Sequence, residues 1–291
     1  MVAPGYLADP KVRCWLGEVE PAWTMLDLAS IRALRQEPSR ANRALSLQNS
    51  LTDAEIASSA ITRNTLILLE EAAAPAGLKL TETGNLARSV VGEFARRMEW
   101  PGFDLDAVLS VCKVVNEPDL PPLHFIRHLA QLAKLVRRDR GKLRATVSGR
   151  EIRTETKRRA LQAILFHLAF WHADLAYFGG PLGSWPQPDI GVLLWSLSVA
   201  AANWQTPEKL TRLCAIPVDG VLSATWDVGS AMTEMRVLRP LVWYGLLDQK
   251  PQREKTARAP FLVRHVYRKA PLFDRFLVFD VRTKQAETVP Q

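Results

Sequence analysis

The apolar residues of this chain recur mostly every three or four positions, which is the spacing of amphipathic helices. The pattern predicts helices over 86–98, 104–114, 122–137, 152–176, 190–204, 207–214 and 230–247. Strand-like segments are short, and they lie at 78–81, 142–147, 261–267 and 276–281. Groups of Pro and Gly separate these elements. The pattern therefore predicts a mainly α-helical fold with a minor β component.

Two short phrases predict where helices begin. Thr52 is followed three residues later by Glu55, and Ser148 is followed in the same way by Glu151. This is the spacing of a capping box, in which the hydroxyl and the carboxylate satisfy the first amides of a helix. We therefore expect helices to start immediately after Thr52 and Ser148.

A weak internal repeat joins helices to strands. The phrase Leu-x-x-Thr-x-x-Gly occurs at 78–84 and at 143–149, each time after an apolar helix and before another helix. In the second copy, helix 123–136 precedes a hairpin turn at 137–141 and a returning strand. A looser third copy covers 238–267. This order predicts winged-helix-like modules packed on a helical core.

The predicted elements divide the chain into four consecutive parts. The parts are an N-terminal arm with helices (1–60), winged-helix-like modules (61–150), a central helical core (151–205) and a C-terminal winged-helix-like domain (206–291). In the last part, basic residues 250–258 are expected to form a long wing, and Val263 to Tyr267 its returning strand.

Composition places the chain among soluble globular proteins. Its 291 residues are 47% hydrophobic and 23% charged, and its three cysteines have no metal-ligand spacing. We therefore expect reduced thiols and a cytoplasmic protein. The longest apolar stretch, 190–202, would rise only ~20 Å as a helix, less than the ~30 Å of a bilayer core. It predicts a buried helix, and no membrane partner is expected.

The positive charge is concentrated in one segment. The formal net charge is +8, and residues 134–159 contain 11 basic and 3 acidic groups, whereas the rest of the chain contains 27 of each. Clustered charge of this kind attracts polyanions such as nucleic acid. The candidate nucleic-acid contacts are Arg127, Lys134, Arg137, Arg138, Arg140, Lys142, Arg144, Arg150, Arg153 and Lys157.

The predicted wing and the helix before it suit phosphates better than bases. Residues 137–144 would surround a hairpin tip, and helix 123–136 would dock in or near a groove. That helix offers few polar side chains to base edges. We therefore predict a duplex-DNA-binding protein that contacts phosphates through a basic wing.

Two alternatives stay open. One is a protein-interaction or assembly subunit of the antitoxin or adaptor type, or a homodimer, with contacts made by tryptophans outside the helical patterns: Trp15, Trp23, Trp100, Trp185 and Trp226. The other is a metal-dependent nuclease, since Pro118-Asp119 and Glu155-x-Lys157 have the residue types of a divalent-ion site.

No catalytic motif, resident metal or cofactor is predicted. His124 and His128 lie four residues apart, but they lack the Glu of a metalloprotease motif and have Arg127 beside them. Neither a hydrolase serine motif nor a phosphate-binding Gly-rich loop is present.

Several segments resemble proteins around the Ri-plasmid ORF-3-like group, which travel with plasmids and insertion elements. The similar segments are 121–138, 80–86, 175–178 and 267–277, and the likeness covers about residues 60–280 without the domain that names the group. The resemblance implies a bacterial protein in a mobile-element or host-defence setting, with winged-helix-like packing. It implies no functional residue, because the group has no established activity.

Overall fold

Short helices make up just over half of the described chain. The computed structural model describes residues 6–103, 105–111, 114–252 and 264–284. The α-helices in these ranges are α1 (Pro10–Leu16), α2 (Leu28–Leu34), α3 (Asp53–Ser58), α4 (Ala60–Ala73), α5 (Arg88–Arg97), α6 (Leu105–Val111), α7 (Pro121–Leu132), α8 (Val147–Glu151), α9 (Glu155–Arg158), α10 (Leu161–His167), α11 (Ile190–Ala200), α12 (Pro207–Cys214), α13 (Asp219–Leu222), α14 (Val228–Thr233), α15 (Arg239–Trp243) and α16 (Pro271–Phe276). The strands are β1 (Leu45–Leu47), β2 (Leu78–Lys79), β3 (Val136–Asp139), β4 (Lys142–Ala145), β5 (Leu247–Pro251), β6 (His265–Lys269) and β7 (Leu277–Phe279). The prediction of a mainly α-helical fold with a minor β part is confirmed.

The chain folds into two units, each assembled from segments that are distant in sequence. The first unit comprises residues 48–173 and 241–245. The second comprises the described residues up to Leu47, residues 174–240, and the described residues from Leu246 onwards. The four consecutive parts expected from the sequence are therefore not the units that the contacts define.

The first unit contains a small antiparallel sheet whose strands are preceded and connected by helices. Its element order is α4, β2, α5, α7, β3 and β4, with α6 between α5 and α7. The strand order is β2–β4–β3, so that Leu78 lies opposite Leu143, and Leu143 lies opposite Arg138. Both copies of the repeated Leu-x-x-Thr-x-x-Gly phrase therefore supply strands to one sheet and do not form two successive modules.

Helix α7 ends earlier than its apolar pattern predicts. Lys134 has a left-handed φ of 54°, which an α-helix does not contain. β3 follows at once, so Arg137 and Arg138 lie in a strand and not in the predicted turn. The turn is formed by Arg140 and Gly141, with φ angles of 47° and 74°, the left-handed backbone that tight hairpin turns need.

One predicted helix cap is correct and the other is wrong. Thr52 Oγ1 accepts a hydrogen bond from the Glu55 amide at 3.2 Å, and the Thr52 amide donates to Glu55 Oε2 at 2.6 Å. At the second site the cap is Thr146, whose Oγ1 accepts from the Gly149 amide at 3.0 Å. Ser148 is not a cap because α8 already begins before it.

The predicted helix over 152–176 is broken into short pieces. Residues 147–167 form α8, α9 and α10, and they are followed by a π-helical turn at Leu168–His172 and a 3-10 turn at Leu175–Phe178. Thr154 has an extended backbone, with ψ of 151°, and its Oγ1 donates to the Glu151 carbonyl at 2.8 Å. A side chain bonded to its own backbone competes with helix formation, and the helix stops there.

The second unit is built around α11 and a two-stranded hairpin. Eight of the eleven residues of α11 are buried, as the apolar stretch predicts. β5 pairs with β6, and Gln205 forms a bridge to Tyr267 on the other side of β6. Of the basic residues 250–258 predicted as a wing, Lys250 lies in β5, and those from residue 253 onwards lie outside the described residues. No described helix is both long and apolar enough to cross a membrane.

One strand pair of the second unit was not predicted in full. β1 pairs with β7, with Leu45 opposite Phe279. β7 lies in a strand-like segment of the sequence, but β1 falls in the region expected to hold only an arm and helices. Cys14 and Cys214 are free thiols, and Cys112 lies outside the described residues.

Candidate polyanion-binding site

A basic depression lies on the first unit, beside the β3–β4 hairpin. It has a volume of about 480 Å³ and is formed by the end of α4, the hairpin and the start of α8. Its lining residues are Ala72, Ala73, Lys134, Arg137, Arg144, Ala145, Thr146, Val147, Ser148 and Arg150. Four of these residues are cationic, and none of the described lining residues is acidic. The depression is therefore a concave surface of a single charge sign.

The pairing of β3 with β4 brings two of the cations together. Arg137 lies directly opposite Arg144 in the strand register, so their side chains leave the same face of the hairpin about 5 Å apart at Cβ. The neighbouring positions on these strands, Val136, Leu143 and Ala145, are buried. The alternation of buried and accessible residues thus directs both guanidinium groups toward one face.

Lys134 and Arg150 are positioned by the chain connections around the hairpin. The left-handed backbone of Lys134 places its carbonyl 2.8 Å from Thr146 Oγ1, which donates to it. Gly149 brings α8 close to the same connection, because a Cβ there would lie 2.0 Å from the Leu135 carbonyl oxygen. Arg150 follows Gly149, and its Nη1 donates to the Ala145 carbonyl at 2.9 Å.

Much of this positive charge is not neutralised by carboxylates. Within the described chain, Lys134 and Arg137 are exposed and have no carboxylate within salt-bridge distance. Arg144 donates from Nη1 to the Pro75 carbonyl at 2.9 Å, and its Nε is 3.4 Å from Asp139 Oδ2. That ion pair is about one-third exposed on each side, and such pairs contribute only ~0–1 kcal/mol. An arriving phosphate can therefore compete for these donors.

The other hairpin cations lie outside the depression. Arg140 is exposed at the turn, Lys142 is half-buried in β4, and Arg138 donates from Nη2 to the Gly84 carbonyl at 3.2 Å. Further along, Arg153 is half-buried, and Lys157 Nζ lies 2.7 Å from Glu151 Oε2. The structure therefore brings together Lys134, Arg137, Arg144 and Arg150 out of the ten candidate residues.

Arg127 is not available to nucleic acid, and its choice as a contact residue was wrong. The residue is only 3% exposed. Its Nε donates to Glu117 Oε1, and its Nη1 donates to Gln131 Oε1 at 2.6 Å. A hint of this burial was present in the sequence, because position 127 lies on the same helical stripe as Leu123 and Ala130.

Sequence reasoning missed the buried carboxylate that holds Arg127. Glu117 is 0% exposed and accepts hydrogen bonds from the Leu86 amide at 2.5 Å and from His124 Nδ1 at 2.8 Å. Burial acts to raise the pKa of Glu117. The bonds from His124 and Leu86, together with the Arg127 charge, outweigh it and lower the pKa below its usual value. Glu117 is thus held as a carboxylate.

Helix α7 has few accessible polar side chains. Seven of its twelve residues are buried. Of its polar residues, Arg127 is buried and His124 is bonded to Glu117. A helix that reads bases presents several polar side chains to a groove. α7 presents no such face.

The residues of the predicted alternatives are placed less favourably. Asp119 lies in a 3-10 turn, where its Oδ2 accepts from the Asn116 amide at 2.8 Å, and Glu155 begins a helix. The nuclease arrangement requires both residues on adjacent strands, and neither residue is on a strand. Of the five tryptophans proposed as contact anchors, three are buried: Trp23, Trp100 and Trp185. The predicted protein-binding surface stays a prediction, with Trp226, 57% exposed, as its most accessible member.

Fold and site together define a mainly helical protein with a cationic depression beside a three-stranded sheet. The family model of the Y4jL N-terminal domain matches residues 57–159, a range that contains every lining residue of the depression. The chain is similar to the uncharacterized protein y4jL of Sinorhizobium fredii (strain NBRC 101917 / NGR234), with 34% identity over 100 residues. That match covers 34% of this chain and 46% of the relative, less than half of the relative's length. No solved structure matches the chain.

Proposed function

We propose that the first unit is a winged-helix-like module that binds the phosphate backbone of nucleic acid, with duplex DNA as the expected ligand. The observation that carries the proposal is the convergence of Lys134, Arg137, Arg144 and Arg150 on one depression with no acidic residue among its described lining. Lys and Arg that neutralise phosphates release counterions, and this release supplies most non-specific affinity for nucleic acid. The bacterial mobile-element or defence setting is part of the same proposal and rests on the sequence resemblance.

The element order supports the winged-helix assignment. A helix, a short strand, three further α-helices and a two-stranded hairpin follow one another, with the first strand pairing to the last. In such a module the hairpin is the wing. Here the wing is β3–β4, and its outer face carries Arg137 opposite Arg144. The wing would therefore approach the backbone with paired guanidinium groups.

The number of cations sets the expected salt dependence. Four phosphate contacts correspond to a slope of about −3.6 for log K against log salt on duplex DNA. Affinity should then fall about 150-fold between 50 and 200 mM salt. Since α7 offers no polar face, duplexes of unrelated sequence should bind within a few-fold of one another.

Fluorescence anisotropy with a labelled 20-base-pair duplex tests the proposal. In Arg137→Glu, a cation without a carboxylate partner is reversed, and affinity at 50 mM salt should fall about tenfold or more, with a smaller salt slope. The matched control is Arg96→Glu, which makes the same charge change at an exposed residue of α5 in the same unit. Equal losses in the two variants, or no binding by the unaltered protein at 50 mM salt, would refute the proposal.

A further inference from the structure

The segment around the second hairpin has an order of elements similar to that of the first unit. It runs through α11, the bridge residue Gln205, four α-helices (α12, α13, α14 and α15), β5 and β6, where the first unit has three α-helices between its first strand and its hairpin. β6 lies between Gln205 and β5, as β4 lies between β2 and β3. Tyr267 of β6 bridges to Gln205 in the way that Leu143 of β4 pairs with Leu78. In both units, therefore, the second strand of the hairpin also pairs with an earlier part of the chain: a strand in the first unit and a single bridge residue in the second.

The two hairpins also close with the same hydrogen bond. In the first unit, the Thr146 amide donates to the Leu135 carbonyl at 2.9 Å. In the second, the Ala270 amide donates to the Leu246 carbonyl at 3.0 Å. In both cases the first strand begins one residue after that carbonyl, and a helix begins one residue after that amide. Positions in the two hairpins can therefore be matched one to one.

Matching reveals a reversal of charge at the basic depression. The matched pairs are Arg137 with Asp248, Arg144 with Arg268, and Arg150 with Asp274. Two of the three guanidinium groups of the first unit thus correspond to carboxylates in the second. The fourth cation, Lys134, corresponds to Gly245, which directly precedes the second hairpin and belongs by its contacts to the first unit; both residues have a positive φ.

In the second unit these carboxylates neutralise the local cations. Asp248 lies directly opposite Arg268, and Arg268 Nη2 is 2.9 Å from Asp248 Oδ2. Asp274 Oδ2 is 2.6 Å from Lys269 Nζ. The Arg268 guanidinium also lies 4.7 Å from the centroid of the Trp204 ring, a favourable cation–π distance. The two carboxylates thus offset the charges of Arg268 and Lys269, and they place negative charge where the first unit has guanidinium groups.

We propose that the two repeated modules have different roles, and that Asp248 and Asp274 exclude the nucleic-acid backbone from the hairpin of the second. The inference rests on the proposed function, because it takes the depression of the first unit as the phosphate site. It goes further by identifying the residues that determine which of two similar modules binds. Binding is then confined to one module, and Asp248 and Asp274 are the specificity-determining residues.

An exchange of charges between the modules tests this inference. Arg137→Asp/Arg150→Asp gives the first unit the charges of the second, and it should reduce affinity for the 20-base-pair duplex more than tenfold at 50 mM salt. Asp248→Arg/Asp274→Arg gives the second unit the charges of the first, and it should raise affinity about tenfold and steepen the salt slope by about 1–2. The variant with all four changes should regain binding through the second unit.

The control matches net charge within the second unit. Glu18→Arg/Glu20→Arg makes the same charge change at two exposed positions outside the hairpin. If it raises affinity as much as Asp248→Arg/Asp274→Arg, the inference is overturned while binding by the first unit still stands. Should the unaltered protein fail to bind, the proposed function and the inference are overturned together. If the arginine variant does not fold, as judged by circular dichroism, Asp248→Asn/Asp274→Asn replaces it, and an unchanged affinity again overturns the inference.

Discussion

Glu117 and Arg127 form a buried ion pair whose disruption should destabilise the first unit. Glu117 is 0% exposed and Arg127 is 3% exposed. In Glu117→Gln the guanidinium of Arg127 stays buried but loses its carboxylate partner, and the Leu86 amide and His124 lose a charged acceptor. Removing one member of a buried ion pair costs about 3–5 kcal/mol. Since whole domains are stable by about 5–15 kcal/mol, this single change should be easy to measure.

A double-mutant cycle separates the ion pair from the general cost of altering α7. Arg127→Met removes the other partner while filling similar volume, and it should also cost about 3–5 kcal/mol. In the double variant no unpaired charge remains, so its cost should fall short of the sum of the single costs by about 1–3 kcal/mol. Urea unfolding followed by tryptophan fluorescence gives these values, because Trp100 and Trp243 are buried in the first unit.

Two results would refute this reasoning. Single costs below about 1 kcal/mol would be those of an exposed ion pair, and strictly additive costs would mean that the two residues do not interact. Duplex binding supplies an independent control. Arg127→Met should lower stability without changing affinity in the folded protein, whereas Arg137→Met should lower affinity with little loss of stability.

Two further outcomes are expected. Gly149→Ala should destabilise the first unit by about 1–3 kcal/mol and weaken duplex binding, because the new Cβ would lie 2.0 Å from the Leu135 carbonyl oxygen; an unchanged melting temperature would contradict the close approach. Because the pKa of Glu117 is lowered from an ordinary value of 4.5, its contribution to stability is fully present above about pH 4.5 and is lost as the pH falls below it. The melting temperature should therefore drop less between pH 5 and pH 3 in Glu117→Gln than in the unaltered protein, and parallel curves would contradict the carboxylate's role.

The apolar pattern was informative where a helix is buried on all sides. The apolar stretch 190–202 correctly predicted α11, since eight of its residues pack inside. The same signal failed over 152–176, where several short helical pieces replace one helix and where Thr154, between α8 and α9, donates its hydroxyl to the Glu151 carbonyl. Apolar spacing alone does not report such a local hydrogen bond. The three-residue strand β1 gave no periodic signal, and its partner β7 lies more than 200 residues away.

The candidate site was predicted as a charged segment and not as a shape. The sequence located the basic cluster, and Lys134, Arg137, Arg144 and Arg150 do meet. It did not show that Arg138 lies outside the depression. Neighbouring residues on a strand point to opposite faces, so Arg137 and Arg138 point in different directions once both lie in β3. That separation depends on the strand starting before Arg137, which follows from the left-handed backbone at Lys134. A lysine in that conformation has no clear sequence signature.

The cross-strand register gives a physical reason to assign binding to one hairpin. Opposite charges facing each other across two strands stabilise a sheet by about 0.2–1 kcal/mol, whereas like charges destabilise it. The second unit has the stabilising arrangement, with Asp248 opposite Arg268. At the matched position the first unit has Arg137 opposite Arg144. The same backbone thus accommodates a counter-charge directly across the two strands, whereas in the first hairpin, among the described residues, Arg137 has none and Arg144 has only the part-exposed Asp139 carboxylate. A polyanion would supply a counter-charge, so the like-charged pair should cost least when nucleic acid is bound.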